Sequence, residues 1–167
     1  MAAKEEDFLK KLGSEFNIKG DVRRKGRIWL DISAEGLVNF CRWIKDEGFE
    51  HLSAISAVDW PDEGVFELVY HLWSYRDKIL VTSKVKIDRN DAVIDSVTGI
   101  WDRSARVHER EIHELFGINF EGNDNLTPLF LEDWDGPPPF RKDFNWREYV
   151  GETYYDKSNE RESVYYD

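Results

Sequence analysis

The chain has one cysteine, and that scarcity excludes an internal disulfide framework and any all-cysteine iron–sulfur site formed within it. No Cys-x-x-Cys pair, serine elbow, glycine-rich phosphate loop or dinucleotide fingerprint is present, so nucleophilic, redox and nucleotide chemistries lack their usual apparatus. No apolar run is long enough to span a bilayer, and the opening Met-Ala-Ala-Lys-Glu-Glu-Asp is the reverse of a secretory signal. A cytoplasmic chain is expected. Positive charge is also short: 23 Lys and Arg against 34 Asp and Glu leave a net charge of -11, which repels nucleic acid and anionic membrane surfaces.

What is there fits one domain with an extension. A chain of 167 residues with 41% hydrophobic content can bury a real core but is too short for two ordinary domains. A short helix is expected over about residues 3–13, with Phe8, Leu9 and Leu12 inward. Looser alternation over 15–32, with Ile28, Leu30 and Ile32, and an Arg-Arg-Lys-Gly turn at 23–26 suggest a hairpin. Ser33 is the expected N-cap of a second helix running to Gly48, whose inward stripe is Leu37, Phe40, Cys41 and Ile44. On that stripe Cys41 reads as a buried, inert thiol.

The clearest strands follow. Leu52, Ala54, Ser56, Val58 and Trp60 alternate up to a Pro61-Asp62-Glu63-Gly64 turn, and Phe66, Leu68, Tyr70 and Leu72 mark one face of the next strand. An Arg76-Asp77 turn returns the chain through Ile79, Val81, Val85 and Ile87, completing an antiparallel meander. The predicted class is α+β, with helices packed on one face of a mixed or antiparallel sheet and an extended C-terminal tail. The other face of the long strand, Val65, Glu67, Val69, His71 and Trp73, is too apolar to be simply solvated. Either a helix or a partner covers it, and the helix is preferred because Ile112, Leu115 and Phe116 need a seat.

Residues 104–120 hold the last expected helix, which ends at Gly117 in the left-handed cap position and leads into loop-like chain. Glu109, Arg110, His113 and Glu114 are placed on its polar face. His108 and His113 stand five apart, which turns them about 140° from each other and spoils a zinc-binding pair. Glu109, Glu111 and Glu114 invite an acid/base reading. Yet Arg106 lies three before Glu109 and Arg110 four before Glu114, so salt-bridge lacing of the helix is the expectation. A free-standing carboxylate-dependent enzyme is kept as the alternative function.

Division at residue 117 gives an α+β globular part, 1–117, and an extended loop and tail, 118–167. Gly136-Pro137-Pro138-Pro139 enforces a stiff extended path, and Phe140-Arg141-Lys142-Asp143-Phe144 sets aromatic ends around a charged centre. Six tyrosines and tryptophans follow from Trp146 to Tyr166, so the tail reads as a partner-seeking segment that gains its order on a partner.

At these residues the sequence resembles the 30-kDa subunit family of respiratory complex I, whose homologues also occur in ion-pumping, membrane-bound nickel–iron hydrogenases and related ferredoxin-linked complexes. The carrying residues are Glu109-Arg110-Glu111, Glu114, Leu115-Phe116 and the loop Gly117 to Gly122. Val58-Asp59-Trp60-Pro61, Tyr70-His71-Leu72, Ser96 to Trp101 and Arg141-Lys142-Asp143-Phe144 add to them, in order, over about residues 52–144. Departures fall at Val107, Asn123, where the family usually has His or Lys, and Thr127. The stretch from Leu131 to Pro139 looks more like the hydrogenase-type relatives. The resemblance implies a non-catalytic subunit with no cofactor. It would sit peripherally in the hydrophilic arm on the cytoplasmic face of the membrane, packed on a hydrogenase-like large subunit and a small iron–sulfur subunit. Partner-binding roles are then expected of Glu109, Arg110, Glu114, Phe140, Arg141, Lys142, Asp143, Phe144 and Trp146. Arg110 would tie Glu114 to the loop, and Arg141 and Asp143 would hold the tail to the partner.

Overall fold

A computed structural model describes residues 3–131 and 133–155. Met1, Ala2, Glu132 and 156–167 lie outside the described residues, and with them the tail anchors Tyr165 and Tyr166. The elements run α1 (Ala3–Phe16), β1 (Gly20–Arg24), β2 (Arg27–Ile32), α2 (Leu37–Asp46), β3 (His51–Trp60), β4 (Val65–Ser74), β5 (Ile79–Asp88), β6 (Val93–Asp95), α3 (Asp102–Phe116), β7 (Asn119–Glu121) and α4 (Trp146–Val150). The five long strands form one mixed sheet in the order β1-β2-β5-β4-β3, with only β2 and β5 parallel. Strands β6 and β7 make a small parallel pair beside it. The class is α+β, as the alternation of patterns indicates.

The core lies between the sheet and the helices. On β4 the period of two buries Phe66, Leu68, Tyr70 and Leu72 completely, and their partners Ile87, Val85 and Val81 on β5 share that face. Helix α2 lays Leu37, Phe40, Cys41 and Ile44 over them. Helix α1 closes the end through Phe8 and Leu12, with Phe8 against Phe49 (ring centroids 5.2 Å apart) and Trp43 (5.7 Å). Each large side chain so buried stabilises by about 1.5–3 kcal/mol. Ser33 does not cap α2 as expected. Its Oγ accepts the Gly36 N–H (3.3 Å) in a turn that precedes the helix, which begins at Leu37.

A register shift between Leu52 and Ala54 corrects the expected alternation of β3. The extra residue, Ser53, inverts the parity of everything after it. Leu52, Ile55 and Asp59 are therefore the buried positions, while Trp60 is exposed. Asp59, an acid at an inward position, is the first sign that this end of β3 meets something charged.

Helix α3 does not cover the Val65/Trp73 face. It packs with the other helices on the inner face, where Ile112 and Ala105 are buried and Phe116 meets Phe66 edge-on at 6.2 Å. The outer face is instead half-shielded by its own cations. The Arg27 guanidinium sits 5.6 Å from the Trp73 ring, and Arg23 and Lys84 each sit 5.4 Å from Trp29. Lys84 also pairs with Glu67 at 2.9 Å. Aliphatic stems laid over tryptophan let an apolar face stand in water.

Candidate functional site

Gly117 (φ 75°) ends α3 in the left-handed region and donates its N–H to the His113 carbonyl. The chain does not leave the core there, because Ile118 and Phe120 are buried. A Cβ at Gly117 would lie 2.8 Å from Pro138, so the returning tail passes directly over this cap.

The charged face of α3 faces inward onto loops rather than outward. Glu109, expected on the polar face, is completely buried. Its carboxylate accepts from Ser96 Oγ (2.7 Å), the Val97 N–H (2.8 Å) and Asn123 Nδ2 (2.9 Å), clasping the segment after β6 to the loop after β7. Burial pushes its pKa above the ordinary value, and the three donors only partly offset that, since none of them is a cation. Cys41 is fully buried, and burial followed by the nearby Glu109 charge drives its thiol pKa far up, as suits an inert thiol.

One turn further on, Glu114 accepts the N–H groups of Leu129 (3.0 Å), Phe130 and Leu131, while Arg110 donates to the carbonyls of Thr127 (3.0 Å) and Pro128 (2.9 Å). Both residues tie the loop down, but separately: instead of binding Glu114 to the start of the loop, as expected, Arg110 holds the Thr127 and Pro128 carbonyls. The anticipated salt-bridge lacing is not how they do it. Arg106 turns back to Asp102 and across to Asp124, leaving Glu109 to neutral donors, and Arg110 and Glu114 each take backbone. A helix side chain four residues from its counter-charge gains only a few tenths of a kcal/mol from the pair, and an unmet loop amide or carbonyl outweighs it. The histidines are structural in the same way: His108 Nδ1 meets the Ser104 carbonyl at 2.7 Å and His113 Nδ1 the Ile118 carbonyl at 2.9 Å.

The tail also returns to the core. Phe140 donates its N–H to the Leu115 carbonyl, and Arg141 Nε to that of Phe116, both at 2.9 Å. The Arg141 guanidinium lies 5.3 Å from the Phe66 ring. The Lys142 N–H reaches Asp59 at 2.8 Å, and Arg89 binds Asp59 in a fork (2.7 and 3.1 Å) while holding Asp143 at 2.6 Å. Burial alone would raise the Asp59 pKa, but the Arg89 fork and the Lys142 amide outweigh it and hold the carboxyl below its ordinary value. Arg141 Nε and the Asp143 carboxylate are thus engaged within their own chain, and residues 140–144 lie back on the core as a strap.

Around this strap the chain leaves a groove of about 620 Å³, lined by Ala57 to Asp59, Leu115, Phe116, Leu131, Trp134 and the strap. Phe140, Arg141, Lys142, Phe144 and Trp146 all line it; Asp143 faces Arg89, and Glu109, Arg110 and Glu114 lie outside it. Two of the groove's lining rings, Trp134 and Phe144, meet edge-on at 6.0 Å, and Tyr149 leans against both at 5.3 and 5.5 Å. Phe140 and Trp146 remain 56% and 51% exposed.

A family model described as respiratory-chain NADH dehydrogenase, 30 Kd subunit, matches residues 30–150, which takes in the sheet from the end of β2 onward, the α3 clasps and the strap. The chain belongs to that family. It is 40% identical over 124 residues to a subunit of the NADH-quinone oxidoreductase of Rhizobium meliloti (strain 1021), covering 71% of this chain and 66% of that protein. It is 34% identical over 133 residues to a subunit of the F(420)H(2) dehydrogenase of Methanosarcina mazei, covering 78% of this chain and 81% of that protein. Among solved structures, a chain of the membrane-bound sulfane sulfur reductase, an archaeal respiratory membrane complex, superimposes with a TM-score of 0.83 at 36% identity, covering 90% of this chain and 91% of that one. Among the described residues of this 30-kDa-type subunit no helix is long and apolar enough to cross a membrane.

Four residues that build the subunit's site were given no structural role by the sequence reading: Asp59 and Ser96, which it named only as part of the resemblance, Asn123, named only as a departure, and Arg89. Asp59 had a usable signal, an acid beside Trp60-Pro61 at what the bulge makes an inward position. Arg89 is one more charge in an Arg-Asn-Asp turn and announces nothing.

Proposed function

We propose that this chain is a non-catalytic docking subunit in the hydrophilic arm of a membrane-bound, ion-pumping oxidoreductase. It packs there on a hydrogenase-like catalytic large subunit and a small iron–sulfur subunit, on the cytoplasmic side. Residues 118–167 form its partner-binding part, and 1–117 the body that carries it. The observation that supports this reading most is where the signature charges are directed. Glu109, Arg110, Glu114 and Arg141 all bind loop or backbone groups of their own chain, which shapes a surface while leaving Phe130, Phe140 and Trp146 more than half exposed. Exposed aromatics on a rigid, hydrogen-bonded frame are anchors of a protein interface. The free-standing enzyme fares worse, since Glu109 is sealed from solvent and Glu114 is saturated by three amides.

The test is assembly. Phe140→Ser with Trp146→Ser, expressed with the rest of the complex, is expected to cut recovery of the chain with its large and iron–sulfur partners at least tenfold while the isolated variant melts like wild type. Substrate turnover by the purified chain alone overturns the reading.

A further inference from the structure

Resting on that reading, we propose that the groove beside the strap takes an extended partner segment that carries one bulky apolar side chain and, next to it, a carboxylate. Three features of the groove carry this. Its floor is the end of β3, an edge strand whose outer side is paired with no other strand among the described residues, so the backbone of a visiting segment can run alongside it. Its walls are Phe116, Leu131, Trp134, Phe140 and Phe144, an apolar basin wide enough for a large side chain.

The third feature is charge. Asp59, Asp143 and Arg89 satisfy one another, and Arg141 is committed to the Phe116 carbonyl and the Phe66 ring. Lys142 gives its backbone N–H to Asp59; its ammonium carries no hydrogen bond or ion pair among the described residues, and the residue is exposed where it lines the groove. On a chain of net charge -11, the exposed Lys142 side chain lining an apolar basin favours an acidic visitor there, against the basic ones that the rest of the surface attracts. On the outer sheet face, by contrast, Arg27 already lies over Trp73, and Arg23 and Lys84 over Trp29.

The test uses the assembled complex with a benzophenone amino acid placed at Val58 or Leu131, irradiated and mapped by mass spectrometry. The expected product joins the groove to a partner-subunit segment in which Asp or Glu stands within two residues of a large apolar residue. Lys142→Glu is expected to lower recovery of the complex about three- to tenfold, in the range of a partly exposed ion pair, and changing the mapped carboxylate to Lys should restore it. Lys142→Met should give the loss without the rescue. Cross-links only to residues 156–167 of the same chain, to a second copy, or to a partner segment without an acid overturn the proposal, as does failed rescue. If the wild-type chain joins no complex, the docking function itself fails, a result distinct from a complex that forms with an empty groove.

Discussion

Between Arg27 and Asp88 the molecule is held mainly by apolar side chains packed on one another; between Gly122 and Asn145 it is held largely by charged side chains that bind backbone. In the sheet, Phe66, Leu68, Tyr70 and Leu72 gain their stabilisation from area, spread over many neighbours. In the second region Glu114 alone gathers three consecutive amides, Arg110 two carbonyls and Arg141 one, and little is buried. The contrast separates stability from shape. The sheet decides whether the chain folds, while a few charged clasps decide what surface the folded chain shows, and each clasp can be cut without taking down the rest.

The comparison predicts its own breaking points. Phe66→Ala should cost about 3–5 kcal/mol, read as a fall in the urea midpoint of the whole chain, because it removes core volume and the ring flanked by Arg89 and Arg141. Loss confined to the strap, with the midpoint unmoved, would merge the two regions that the contrast keeps apart.

Glu109→Ala should come next, at about 2–3 kcal/mol, since it strands the Val97 amide inside the protein. This residue lies in neither stretch but combines full burial with a clasp on loop groups, and its pH behaviour shows which of the two dominates. A carboxyl whose folded pKa is raised binds its proton more tightly in the native state, so it costs stability increasingly as pH climbs from the ordinary value of 4.5. The stability gap between wild type and Glu109→Gln should therefore shift in favour of the variant from about pH 4 to pH 7. A gap that moves the other way would mean the three donors outweigh burial.

Arg89→Ala should cost about 2 kcal/mol by leaving Asp59, whose side chain is fully buried, with only the Lys142 amide. Asp59 and Asp143 both have depressed pKa values, Asp59 because the Arg89 fork and the Lys142 amide overcome its burial, Asp143 chiefly through Arg89. Their contribution is thus complete above the ordinary 3.8 and is lost only as pH falls through the lower folded values. Amide exchange of residues 140–144 should stay slow down to that acid limb in wild type and quicken at higher pH in the variant.

Glu114→Ala should be the mildest, about 1 kcal/mol or less on global stability because water can reach the freed amides. Local exchange should tell the opposite story, with protection of Leu129, Phe130 and Leu131 falling at least tenfold by NMR. Equal effects on both readouts would deny that the loop can be loosened alone.

How much of this was legible in the sequence divides along the same line. Strands β4 and β5, the α2 stripe and the Gly117 cap follow from periods of 2.0 and 3.6 and a glycine stop, which repeat often enough to be seen. Strand β3 was mis-phased by one bulge, because Ser53 is as acceptable on the strand as off it. The identities of Glu109, Arg110, Glu114, Arg141 and Asp143 stood out, but their partners did not: a carboxylate that binds three amides fifteen residues away leaves no periodic trace. For the same reason the tail's aromatics suggested a partner, while the returning bonds from Phe140 to Asp143 went unseen.

The single parallel pairing in the sheet sets an order of assembly. Helix α1, β1 and β2 leave the ribosome before the other elements, and the β1–β2 hairpin can close locally, yet β2 finds its other neighbour only when β5 has been made, Ile28 opposite Val81. Until then Ile28, Leu30 and Ile32 wait with one hydrogen-bonding edge open, while β3, β4 and β5 are translated and fold back on one another as near neighbours. Non-local closure of this kind slows folding and exposes a sticky edge meanwhile. The first strands of the sheet are therefore made earliest and finished last, and they are the part for which a chaperone would matter most during synthesis.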